Sequence, residues 1–133
     1  SFAPLIQADQ SELSASLGGV LNLSIDFPDN TRGYNYAVLA SVNGTGPTRI
    51  GVPIPLTWGR LMMNTMFGLY PIAIHSDLQG QLDSKGRAHA SMTFAPGETS
   101  SVIGRTIHFA AIAVQPGRHP EYSSVAVPLT ITP

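Results

Sequence analysis

Four histidines, eight acidic residues and no cysteine are the raw material from which this 133-residue chain could build a reactive site. His75, His89, His108 and His119 stand in unrelated contexts, and no His-x-His or His-x-x-x-His pair supplies the ligand spacing of a zinc site. Neighbouring strands could still bring His89 and His108 together; otherwise all four read as surface or strand-face residues. Serines, histidines and carboxylates for a hydrolytic triad are present, as they are in most proteins, but no Gly-x-Ser-x-Gly elbow presents a serine as nucleophile. Asp77 and Asp83 flank a glycine-containing turn, a pattern able to hold calcium through carboxylate and carbonyl oxygens. Asp83 equally occupies the place of a turn-initiating aspartate, which bonds its own backbone instead. Eight acids spread over loops single out no pair for glycoside hydrolysis, and without cysteine there are no disulfides, thiolate metal sites or thiol nucleophiles. The expectation is a protein without catalysis, metal or cofactor.

Contact chemistry has better candidates. Trp58, Tyr70 and Tyr122 lie beside glycine or proline or near a strand end, where an exposed ring could stack on a sugar; the competing role is to cap the core. Asn22-Leu23-Ser24 and Asn43-Gly44-Thr45 match glycosylation acceptors, the second in an exposed turn. Phe2-Ala3-Pro4-Leu5-Ile6-Gln7-Ala8 is apolar and extended, so Phe2, Leu5 and Ile6 form a candidate assembly arm, either packed on its own domain or added to a neighbouring copy. Met62, Met63, Met66, Phe67 and Leu69 are either core filling or an adaptable interface.

Strands must position these residues. Leu21, Leu23, Ile25 and Phe27 alternate with Asn22, Ser24 and Asp26, and a second run from Tyr34 to Val42 puts every other residue on one apolar face. Prolines at alternate positions of Val52-Pro53-Ile54-Pro55-Leu56 confine that piece to an edge strand or an extended crossover. Leu61 to Phe67 fits a helical turn, through Met62/Met66 or Met63/Phe67, as well as a strand; an irregular segment plugging the core is the expectation. Gly80 to Phe94 reads as a hairpin about Asp83-Ser84-Lys85-Gly86, with Gly86 at positive φ. Thr106 to Val114 is apolar on both faces, as a central strand requires, and Pro128 places the last strand at an edge or with its N–H side unpaired. Seven or eight short strands without a long amphipathic helix predict an all-β, antiparallel two-sheet sandwich, immunoglobulin-like or jelly-roll-like, with a closed β-barrel as the alternative. Residues 17–133 form one domain in this reading, and residues 1–16 an N-terminal extension.

Composition narrows the class. Only 11% of residues are charged, against roughly 25% in an ordinary soluble domain. Net charge is −1 and the basic residues are scattered singly, so no cationic stripe meets nucleic acid. Leu61 to Ile74, broken by Asn64, Gly68 and Pro71, is too short to span a bilayer. A single lysine leaves sheet edges lightly defended against pairing with another chain, and a start at Ser1 fits a processed exported protein or a trimmed one.

Six segments carry a resemblance. Gly18-Gly19-Val20-Leu21-Asn22-Leu23, the run Tyr36 to Pro47, Val52-Pro53-Ile54-Pro55-Leu56, Gly80 to Ala88, Ile103 to Ala110 and Ser123 to Ile131 occur in that order over most of the chain. Together they resemble a domain found at the carboxyl end of large exported proteins of planctomycetes and related bacteria. The resemblance implies an exported β-sandwich module without a recognised activity. It does not cover residues 1–16, and the family piece usually ends a longer protein. The function expected is a non-catalytic structural or interaction protein of the cell surface or an extracellular assembly, self-associating through its arm and sheet edges, with copies of itself or other surface proteins as partners. The alternative is a carbohydrate-binding or adhesion module.

Overall fold

A computed structural model describes residues 5–69, 74–115, 117, 118 and 120–133. Among these the protein is all-β with one short helix. The strands are β1 (Leu5–Ala8), β2 (Glu12–Ser14), β3 (Gly19–Asp26), β4 (Asn35–Ser41), β5 (Thr48–Ile50), β6 (Val52–Ile54), β7 (Ile74–Ser76), β8 (Gln79–Gln81), β9 (Arg87–Phe94), β10 (Thr106–Val114), β11 (Pro120–Ser123) and β12 (Val127–Thr132). The helix, α1, is Arg60–Met66. Twelve segments replace the seven or eight expected, because several edge strands are three or four residues long and the chain divides them between sheets.

One sheet has the order β1-β3-β9-β7; the other runs β2-β12-β10-β4-β8, with β11 beside the far half of β10, and β5-β6 is a separate hairpin. At one lateral edge the chain leaves β1, turns through Asp9–Ser11 and joins the second sheet as β2. At the opposite edge it leaves β7 and, after Asp77 and Leu78, joins the second sheet as β8. Asp77 takes φ +58° at that crossing, and the Tyr36 hydroxyl donates to its carbonyl at 2.5 Å. The first crossing brings β2 alongside β12 in the same direction, Thr130 opposite Glu12 and Thr132 opposite Ser14. A strictly antiparallel arrangement is therefore corrected to a mixed second sheet.

Period-two patterning sets the core. Leu21, Leu23 and Ile25 of β3 and Ala90, Met92 and Phe94 of β9 meet Val38 and Ala40 of β4, Phe109 and Ala111 of β10, and Leu129 and Ile131 of β12. The intervening residues Leu39, Ala110 and Ile112 face away, into a second core closed by Ile54, Leu56 and Met62. β10 is thus a central strand buried on both sides, as its apolar faces require.

The proline pattern is also accounted for. Ile131 N donates to Arg105 and Thr130 N to Ser11, so even-numbered donors of β12 point towards β2, and Pro128, without a donor, falls beyond the end of the β2–β12 pairing. Among the described residues β6, with Pro53, pairs with β5 alone. Two expectations are corrected. Gly80 to Phe94 is not a hairpin, because β8 pairs with β4 and β9 with β3 and β7. The Asp83 turn is locally hairpin-like, but Leu82 turns into the core and the chain crosses between sheets there. Leu61–Phe67 is neither strand nor irregular: Met62 and Met66 share one helical face on the second core, and Gly68 at φ +78° follows the helix end. Thr65 Oγ1 accepts from Ala40 N at 3.2 Å, so α1 continues the edge of β4 beyond β8.

Candidate interaction surface

The layer over the second core, β5-β6 followed by α1, holds the exposed apolar residues that cluster in sequence. Ile50, Val52 and Ile54 face inward, which turns Arg49 and Pro53 outward. Met62 and Thr65 are buried beneath α1, whereas Met63 and Phe67, one helical turn apart, point away at 39% and 73% exposure. Trp58 just before the helix is 47% exposed and Leu69 just after it 63%. Helical phase splits the methionine-rich segment: one face fills the second core and the other is exposed.

Local bonds hold the segment in place. Asn43 Nδ2 donates to the Trp58 carbonyl at 3.4 Å, Thr57 N to Gly44 at 3.0 Å, and Leu69 N to Asn64 at 2.8 Å, folding the chain back onto the helix. Beside α1 a groove of about 360 Å³ opens at this end of the main core, floored by Val42, Phe94 and Ile107, with Arg60 and Asn64 on the helix side and Glu98 on the other. That size falls at the low end of small-ligand clefts. Glu98 itself accepts from Ala95 N at 2.9 Å.

Of the three expected sugar-stacking rings, the two that are described, Trp58 and Tyr122, do not share a platform. Trp58 sits at the end of β4 near Asn43. Tyr122 sits at the other, its ring 6.5 Å from both Phe27 and Tyr34 and its hydroxyl accepting from Asn30 at 3.0 Å. The seven residues of β4 separate them by about 20 Å. Tyr122 packs against the main core, in the capping role, and Tyr70 lies outside the described residues.

Of the arm, Phe2 lies outside the described residues. Leu5 pairs with Asp26 as the first residue of β1, and Ile6 is buried in the main core opposite Ile25. Asp9 ends the strand: its carboxylate accepts from Asn22 N at 2.9 Å and Asn22 Nδ2 at 2.8 Å, and these bonds hold its pKa below 3.8.

The candidate chemical residues stay apart. His89 is exposed on the outer side of β9, and His108 faces outward from β10 in the other sheet, so the core lies between them. His108 stands opposite Ser41 and Pro128, with its Nδ1 buried and without a hydrogen-bond partner among the described residues. Asp83 spends one oxygen on Arg87 N at 2.9 Å and Lys85 N at 2.8 Å, which lower its pKa and match the turn-forming role. Among the described residues no three histidines or carboxylates gather as a metal would need.

Sequence patterning named the residues of this surface but not which ones would be outside. One legible signal bears on it: from Asn30 to Ser76 there is no acidic residue, while Arg32, Arg49 and Arg60 fall within that stretch.

No family model matches the chain, and no curated protein sequence does. Among solved structures it is similar to the E. coli chaperone DraB, at 12% identity and a TM-score of 0.49, over 99% of this chain and 56% of that one. The chain spans little more than half the length of that protein.

Proposed function

We propose that this is a non-catalytic structural protein of the cell surface or an extracellular assembly, built as an immunoglobulin-like two-sheet sandwich and self-associating by exchange of β1 between copies. The observation that carries this is the position of β1: a four-residue edge strand with β3 as its backbone partner, whose Ile6 nevertheless fills the main core. The slot that β1 occupies in its own sheet is identical in every copy, so a neighbour's β1 makes the same contacts, and exchange costs little beyond ordering the link at Asp9–Ser11. Strand crossing at both lateral edges and the brevity of β1, β2, β7 and β8 leave little free edge for unselective pairing. Association is thereby directed to exchange rather than to stacking of sheets.

Gln7 and Ser24 are exposed partners in the β1–β3 register, and the chain has no cysteine of its own. The double variant Gln7→Cys/Ser24→Cys, oxidised and run on a non-reducing gel, gives a ladder of linked chains if β1 is exchanged. A single band at monomer mass ends the idea.

Trp58 favours the carbohydrate reading as the second one, since it combines a half-exposed ring with a fixed backbone. A glycan-array signal abolished by Trp58→Ala is its test.

A further inference from the structure

We infer that the outer face of α1 and its flanks is a docking surface for an anionic lipid bilayer, on which the protein rests peripherally. Single exposed apolar residues need no explanation, but Trp58, Met63, Phe67 and Leu69 are gathered in one short segment, on a helix whose opposite face is locked by fully buried Met62 and Thr65. The face is therefore carried by a helix anchored in the second core, with the groove lined by Arg60 and Asn64 at its side. Arg60, Met63 and Phe67 fall at i, i+3 and i+7 on one stripe, and Arg49 is exposed on the hairpin that covers the same second core.

Charge selects the occupant. Neither Arg49 nor Arg60 forms an ion pair among the described residues, where Arg87–Asp26 is the bridge present, and no acidic residue lies between Asn30 and Ser76. Glu98, across the groove from Arg60, is engaged by Ala95 N, and at the other end of the face Gly68 abuts the side chain of Gln79, two residues after the exposed Asp77. Tryptophan, phenylalanine and leucine flanked by arginine is the composition that enters the headgroup boundary of a negatively charged membrane to a depth of about 5–10 Å. No described helix is long and apolar enough to cross a membrane; the contact proposed is interfacial.

Flotation with vesicles of phosphatidylcholine, with and without phosphatidylglycerol, tests this on the full chain. The wild-type chain is expected to float with the mixed vesicles and to be released by added salt. Phe67→Ser/Leu69→Ser should lower partitioning at least about tenfold, since two apolar side chains leave the interface. Arg49→Gln/Arg60→Gln should lower it about 25-fold, at roughly fivefold per arginine. All four positions are exposed, so thermal unfolding of both variants should match the wild type. Three results would overturn the inference: no flotation with either vesicle, equal flotation with both, or flotation unchanged in Phe67→Ser/Leu69→Ser. A fourth would as well: a doubled mass in lipid-free buffer that this variant returns to monomer assigns the face to a second copy. The cysteine ladder at β1 reads self-association separately, so either idea can fail without the other.

Discussion

The two sheets share one core but differ on their outer faces. Outside β3 and β9 stand Asn22, Ser24, Asp26, Arg87, His89, Ser91 and Thr93, open to water; outside β4 and β10 stand Ala37, Leu39, Ala110 and Ile112, under β5-β6 and α1. The first face is an ordinary solvated side, polar by alternation. The second is a core in its own right, and its cover carries exposed apolar residues on the far side. The low charge of the chain is thus concentrated where one sheet is layered twice. It is not a uniform property of the surface.

The largest expected effect separates the faces directly. Leu39→Ala, at a fully buried outward position of β4, should cost about 2–5 kcal/mol by urea unfolding, whereas Ser24→Ala on the open face should change stability by no more than about 0.5 kcal/mol. Equal costs would mean that the covering layer does not form a core. Next come two glycines, both at positive φ. A Cβ at Gly86 would stand 2.6 Å from the Pro28 carbonyl oxygen and 2.7 Å from that of Phe27, while at Gly104 nothing lies within 4 Å. Gly86→Ala should therefore cost about 2–3 kcal/mol and Gly104→Ala about 1 kcal/mol. A Gly86→Ala variant as stable as Gly104→Ala would show that the crossing after β8 is looser than its contacts imply.

Acid should act on the open sheet through Asp9 and Asp83. Both carboxyls sit below 3.8 in the folded state because they accept backbone and amide hydrogen bonds, so their contribution is complete above that value and is lost as pH falls through the lower folded pKa. The melting temperature should be flat near neutrality and fall below about pH 4, and Asp9→Asn should flatten that limb. An acid limb identical in the variant would remove Asp9 from the account. Smallest of all, Arg87→Gln breaks an exposed pair at 3.4 Å and should cost no more than about 0.5 kcal/mol.

Strands whose environment is local in sequence were legible. β3 alternates because one side is wet, β10 is apolar throughout because both sides are dry, and Asp83 and Gly86 take the turn roles their chemistry favours. Pairing was less so. Gly80–Gln81 and Arg87–Phe94 carry a hairpin pattern, yet they belong to different sheets, because a buried Leu82 between them is satisfied equally by folding back or by crossing over. The same limit applied to Leu61–Phe67, where a short apolar run fits several periods and the packing of Met62 and Thr65 against β4 selects the helix.

By itself the sequence determined the class of the protein: the period-two apolar pattern, the scattered prolines and the missing cysteines leave an all-β chain without a thiol site. Only the tertiary structure decided that His89 and His108 part company, that Ile6 is core, that Trp58 and Tyr122 stand at opposite ends, and that Met63 and Phe67 face out while Met62 faces in. The reason is that periodicity records which side of an element is apolar. Which other surface that side meets depends on contacts between residues far apart in the chain.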